Sequence, residues 1–145
     1  MFKKNKRRIS RERALSILYA WETGGMELTE ESLLLVRKNF PIDGMEDADF
    51  TNEILRQVVI SKSHIDEIIE AASQNWKVSR MDMVDLAILR IGVSELLCGQ
   101  VPVPVVINES VELGKEFGSE NSTRFINGIL HKASQLVPDP GSRSK

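Results

Sequence analysis

The stretch that begins near Ser79–Asp82 and ends at Gly99 constrains this chain more than any other. It carries Met83, Val84, Leu86, Ala87, Ile88, Leu89, Ile91, Val93, Leu96 and Leu97. At 3.6 residues per turn these cover most of a helix circumference, and a helix that is apolar nearly all round is stable only when buried. Asp85, Arg90 and Glu95 interrupt it, so it does not read as a membrane span. The rest of the chain must therefore supply amphipathic elements to surround one central helix. A length of 145 residues is enough to bury such a core in one domain without disulfide or metal.

The flanking segments meet that demand. Glycines and prolines punctuate them, and the apolar spacing between is helical. The first helix opens near Ser10, a good N-cap residue, and carries Ala14, Leu15, Ile17, Leu18 and Trp21 to a stop at Gly24-Gly25. A second, from about Thr29 to Asn39, turns Leu33, Leu34 and Val36 inward and ends before Pro41. A third begins near Asp47 or Asp49 with Phe50, Ile54, Leu55, Val58 and Val59. Ser63-His64-Ile65-Asp66 resembles a capping box and should start or re-register a fourth, with Ile65, Ile68, Ile69, Ala72 and Trp76 as its stripe. The apolar helix is the fifth. Pro104 stands near the start of a sixth, where proline is tolerated, lined by Val106, Ile107, Ser110, Val111, Leu113 and Phe117. A seventh starts near Asn121 with Phe125, Ile126, Ile129, Leu130 and Ala133. Pro102 and Pro104 argue against a strand at 101–106. The expected fold is all-α, about seven helices in two small packed bundles around the buried fifth. Residues 1–137 form a single domain, and 138–145 read as a disordered tail.

Charge is distributed unevenly. Residues 1–13 hold Lys3, Lys4, Lys6, Arg7, Arg8, Arg11 and Arg13 against Glu12 alone, a net +6, whereas the remainder has 12 basic and 20 acidic side chains, a net −8. An acidic body with a basic arm suggests a polyanion for the arm. On a helix reaching back to residue 7, Arg7 and Arg11 share a face with Arg8 beside it. The arm reads either as a nucleic-acid site or as a solvated tail. Tyr19, the one tyrosine, reads either as a stacking platform for an unpaired base or as a residue at the core boundary.

Catalytic and metal chemistry find little support. His64 and His131 lie far apart with no ligand spacing, and no glycine-rich phosphate loop is present. Cys98 lies in an apolar stretch as a packed thiol, which fits a reducing cytoplasm, and no secretory segment follows the basic start. Arg90, Glu95, Glu109 and Glu112 read as partly buried ion pairing between the fifth and sixth helices. Gly92, Gly114 and Gly128 lie inside helices and suggest close helix approach, with Asn127-Gly128 seating the last helix on the central one. No cofactor is implied.

Several segments, in order, carry a resemblance. They are Arg7-Arg8 and Arg11-Glu12-Arg13-Ala14-Leu15 leading to Leu18-Tyr19-Ala20-Trp21-Glu22, then Trp76 before Ser79-Arg80-Met81, then Ile88-Leu89-Arg90-Ile91 with Glu95-Leu96. Val101-Pro102, the run Val106-Ile107-Asn108-Glu109-Ser110-Val111-Glu112-Leu113 and Phe125-Ile126-Asn127-Gly128-Ile129-Leu130 complete them. Together they resemble the bacterial NusB family of transcription antitermination factors, from about Arg7 to Ala133. Segment 23–62 matches weakly, and Ser110 and Gly114 stand where that family often has alanine.

The resemblance implies a binding protein with no reaction. It would bind the single-stranded boxA element of ribosomal RNA leaders together with NusE, a small-subunit ribosomal protein. With NusA and NusG it would join elongating RNA polymerase and suppress Rho-dependent termination. By position, Arg7, Arg8 and Arg11 match the family's arginine-rich start. Arg124, with Asn121 and Ser122 at a helix N-terminus, would add a second RNA contact. Tyr19 and Asp85 match the NusE-facing surface, with Tyr19 also offered to RNA. The free protein would pair with itself on the surface used for NusE or RNA, in the cytoplasm and away from membranes. Two rivals stand beside this reading: the RNA-targeting domain of an rRNA cytosine methyltransferase, for whose α/β domain the chain has no room, and a helical adaptor that binds proteins only.

Overall fold

A computed structural model describes residues 5–40 and 42–138. The described residues form six α-helices and one 3-10 turn at Val78–Arg80, and no strand. The helices are α1 (Lys6–Gly24), α2 (Glu30–Arg37), α3 (Ala48–Ala72), α4 (Met83–Cys98), α5 (Val103–Phe117) and α6 (Ser122–Leu136). The expected tail lies outside the described residues apart from Pro138, as do Lys3 and Lys4 of the arm.

Polar caps set the boundaries. Asn5 begins α1, its side chain accepting from the Arg8 amide at 2.7 Å, so the helix opens five residues before Ser10. Ser10 is instead buried, its hydroxyl donating to the Asp47 carbonyl at 2.8 Å, which ties α1 to the start of α3. Thr29 and Ser32 cap α2 reciprocally. The Asp82 carboxylate accepts from the Val84 and Asp85 amides to start α4, and Gly99, at φ 71°, ends it in a left-handed conformation that costs glycine nothing.

The expected third and fourth helices are one. α3 runs 25 residues with a kink at Ser61 (φ −115°, ψ 18°), two residues before the expected capping box. No box forms at Ser63, because the Asp66 carboxylate is drawn away to Arg90 on α4 and Lys62 on its own helix.

Central placement of α4 holds: it packs against α1, α3, α5 and α6, and residues 85–96 are buried without a break. Helices α1 to α3 cover one side and the end of α3, α5 and α6 the other, around one continuous apolar cluster. Gly92 permits close approach at the centre, since a Cβ there would lie 3.0 Å from both Leu130 methyls and the Ser110 hydroxyl. At Gly114 a Cβ would meet Ile126 at 2.7 Å. Gly128 does not follow this pattern. It faces open space, so it does not seat α6 on the centre. Leu34 and Phe117, expected inside, are exposed. Trp76 leaves the α3 stripe because Gln74 and Asn75 adopt positive φ and turn the chain outward.

Candidate nucleic-acid interface

From Lys6 to Arg13 the basic arm is helical, and its arginines meet different fates. Arg11 is buried. Its Nε and Nη2 donate to both Glu95 oxygens at 2.8 Å, with each side chain 4% exposed, and its Nη1 lies 3.6 Å from Glu109. A guanidinium so enclosed reaches no phosphate in this conformation. Arg8 makes a second bidentate pair, to Glu109 at 3.0 and 2.6 Å, but remains about a third exposed. The Arg8 hydrogen bonds hold the Glu109 carboxyl below its ordinary range, and the same bonds raise the Arg8 guanidinium. Arg13 pairs with Asp43. Arg7 is exposed and has no carboxylate partner among the described residues. Its guanidinium lies 4.7 Å from the Phe50 ring centroid, with Arg11 5.0 Å from the same ring.

The expected pairing of the fifth and sixth helices is therefore corrected. Glu95 on α4 and Glu109 on α5 both pair with arginines of α1, and Arg90 pairs with Asp66 of α3 at 2.9 Å and lies 3.7 Å from Glu22 of α1. The ion pairs fasten the arm to the body. Among the described residues α4 and α5 share no direct pair and meet electrostatically through Arg11, which lies against both Glu95 and Glu109.

At the start of α6, Ser122 is 1% exposed. Its hydroxyl donates to Asp85 at 2.6 Å and accepts from the Ser119 amide at 2.8 Å. Asp85 is itself buried, and burial raises its carboxyl above the ordinary range against the opposing hydrogen bond from Ser122. These two expected contact residues are thus joined to each other, bracing the N-terminus of α4 against that of α6. Asn121 is exposed, and its side chain makes no cap hydrogen bond. Tyr19 is exposed on α1 and its hydroxyl bonds to no described residue. Arg8 and Tyr19 are eleven residues apart, about three turns or 16 Å along one helix face.

Arg124 opens onto a feature that sequence reasoning missed. A groove of about 490 Å³ runs between the end of α3 and the outer face of α6. Arg124 and Lys132 flank it, Trp76 and Phe125 wall it, and no carboxylate lines it. The two rings meet edge to face with centroids 6.0 Å apart, and Trp76 is 53% exposed. Gly128 leaves the groove open where a side chain would intrude. The sequence signal was Gln74-Asn75 before Trp76, a turn that takes the indole off the helical stripe. No group of three or more metal-ligating side chains occurs among the described residues.

An all-helical, cation-edged binding protein is the class that this fold and surface define. Residues 8–135 match the NusB family. Among relatives, the transcription antitermination protein NusB of Anaeromyxobacter dehalogenans is 42% identical over 134 residues, spanning 92% of this chain and 94% of the relative. The protein of the same name from Geobacter sulfurreducens is 38% identical over 136 residues, with 93% and 98% covered. T. maritima NusB superposes with a TM-score of 0.80 at 27% identity, covering 99% of this chain and all of that one. A chain in a crystal structure of antitermination factors NusB and NusE with double-stranded RNA superposes at 0.76 and 26% identity, covering 92% and 99%. The chain belongs to the NusB family, whose function is transcription antitermination, a regulatory rather than an enzymatic role. No described helix is long and apolar enough to cross a membrane.

Proposed function

We propose that residues 1–137 act as one RNA-binding domain. It engages single-stranded boxA RNA of ribosomal RNA leaders jointly with NusE in the cytoplasm and, with NusA and NusG, joins elongating RNA polymerase to suppress Rho-dependent termination. The observation that carries the RNA reading is the groove in which Arg124 and Lys132 flank an exposed Trp76 with no acid present. Cations beside an accessible aromatic face favour unpaired bases, which stack, over a duplex, whose bases are hidden. Arg7 and the exposed part of Arg8 supply phosphate contacts on α1. Asn121 adds a donor at the α6 N-terminus, where anions are favoured. Arg11 and Ser122 act by holding these groups in place. Tyr19, exposed on α1, offers a contact to NusE or to an unpaired base, and Asp85, buried at the start of α4, serves the NusE side by holding Ser122 in place.

A boxA oligonucleotide titrated with the full chain, with and without NusE, tests this. Binding that tightens with NusE and prefers single strand over duplex supports it. The related complex with double-stranded RNA makes the duplex arm of the assay decisive. Protein pairing without RNA binding in either condition would leave the adaptor reading in its place.

A further inference from the structure

The helix α6 is a ridge between two grooves. On one side Arg124, Gly128 and Lys132, spaced four apart, form the row that borders the Trp76 groove. Asn127 and His131 form the neighbouring row, one residue back along the helix. They border a different groove, of about 320 Å³, between α6 and α5. Its α5 wall is apolar, made by Val103, Ile107 and Val111 with Asn108 among them, and no described Lys, Arg, Asp or Glu lines it.

That composition suits a nucleobase. A base has an apolar face and an edge that both donates and accepts hydrogen bonds, and a side-chain amide matches such an edge because it does both. Asn108 on one wall and Asn127 on the other are exposed, and neither amide hydrogen-bonds a described residue. His131 adds an imidazole, one of the rings on which unpaired bases stack. Charge favours a polyanion over a protein segment. On an acidic body, α6 carries Arg124, His131 and Lys132 and no Asp or Glu. The acids of α5 lie on its other flank, where Glu109, Glu112 and Glu116 border Arg8 and Arg11. The crest between the grooves is low, since a Cβ on Gly128 would meet nothing within 4 Å.

We infer that the α5–α6 groove is a second base-binding site, filled by a nucleotide of the same single strand after it crosses the outer face of α6 from the Trp76 groove. Asn108 and Asn127 hold the base edge, His131 packs on its face, and Arg124 and Lys132 hold phosphate on the crossing. This rests on the RNA reading of the Trp76 groove and adds selectivity to it. Stacking on an indole accepts any base, whereas a pair of amides discriminates among edges.

A boxA oligonucleotide with flanking nucleotides, carrying one abasic site at each position in turn, tests this when titrated with the full chain in the presence of NusE. Among the positions where loss of the base weakens wild-type binding, by about tenfold, one should lose its effect in Trp76→Ala. A different one should lose its effect in the Asn108→Ala/Asn127→Ala double variant. Both substitutions fall at exposed positions and should leave the far-UV helix signal unchanged. A double variant with the wild-type profile, or one that loses NusE pairing while its RNA binding is unchanged, would overturn the inference and leave the Trp76 reading standing. One position answering to both variants would also overturn it. A wild type that binds no RNA would overturn both.

Discussion

At Arg11 a guanidinium is spent on Glu95 inside the protein, while at Arg7, one turn earlier, it faces water over Phe50. Sequence spacing put both on one face, and it did so correctly. What spacing could not show is which face meets α4, since that depends on Glu95 and Glu109 arriving from 84 and 98 residues away. The consequence is measurable. Arg11→Ala leaves Glu95 buried without its partner and should cost about 3–5 kcal/mol in chemical denaturation, whereas Arg7→Ala should leave the midpoint nearly unchanged. A stable Arg11→Ala variant would contradict the buried pair. Acid stability follows from Glu109. Its carboxyl is held low in the folded state, so its contribution is complete above the ordinary carboxylate range and is lost as pH falls through its depressed pKa. Glu109→Gln should accordingly flatten the acid limb of a stability-against-pH curve. An unaltered limb would mean that the Arg8 pair contributes nothing.

The helices themselves were largely legible, because period and punctuation are local properties. The apolar circumference of α4 announced its burial and Gly99 ends it as expected, while its start falls at the late edge of the expected Ser79–Asp82, because Val78–Arg80 forms a separate 3-10 turn. Errors arose where distant partners decide. Ser63–Asp66 has the composition of a cap, but Asp66 serves Arg90, so α3 continues past a kink. Gly128 looked like a packing glycine, yet it borders the Trp76 groove. Because its Cβ position is open, Gly128→Ala should stabilise the fold by about 0.5–1 kcal/mol in thermal denaturation. A loss of stability there would show hidden packing. At the other end, Asn5 caps the turn that presents Arg7 and Arg8, and Asn5→Ala should cost about 1 kcal/mol. Loss of helix signal at the N-terminus, read by amide exchange, checks it.

Across the whole molecule the net charge of the sequence overstates the arm. Arg8, Arg11 and Arg13 are neutralised by Glu109, Glu95 and Asp43, so among the described residues of the arm Lys6 and Arg7 are left facing outward from an anchored helix. The second cationic site, at Arg124 and Lys132 beside Trp76, was only half visible in the sequence. Arg124 was placed by resemblance, but the aromatic wall depends on a turn that brings the end of α3 to the side of α6. The proposed RNA contacts thus fall on two elements of one helical body, Arg7 on α1 and Arg124 on α6. The salt dependence of boxA affinity measures this most directly, since each phosphate neutralised on a single strand contributes about −0.7 to the slope of log K against log salt. The account predicts a steep wild-type slope that becomes shallower by about 0.7 in Arg7→Ala and again in Arg124→Ala. Slopes identical in all three proteins, or a wild-type affinity indifferent to salt, would contradict it.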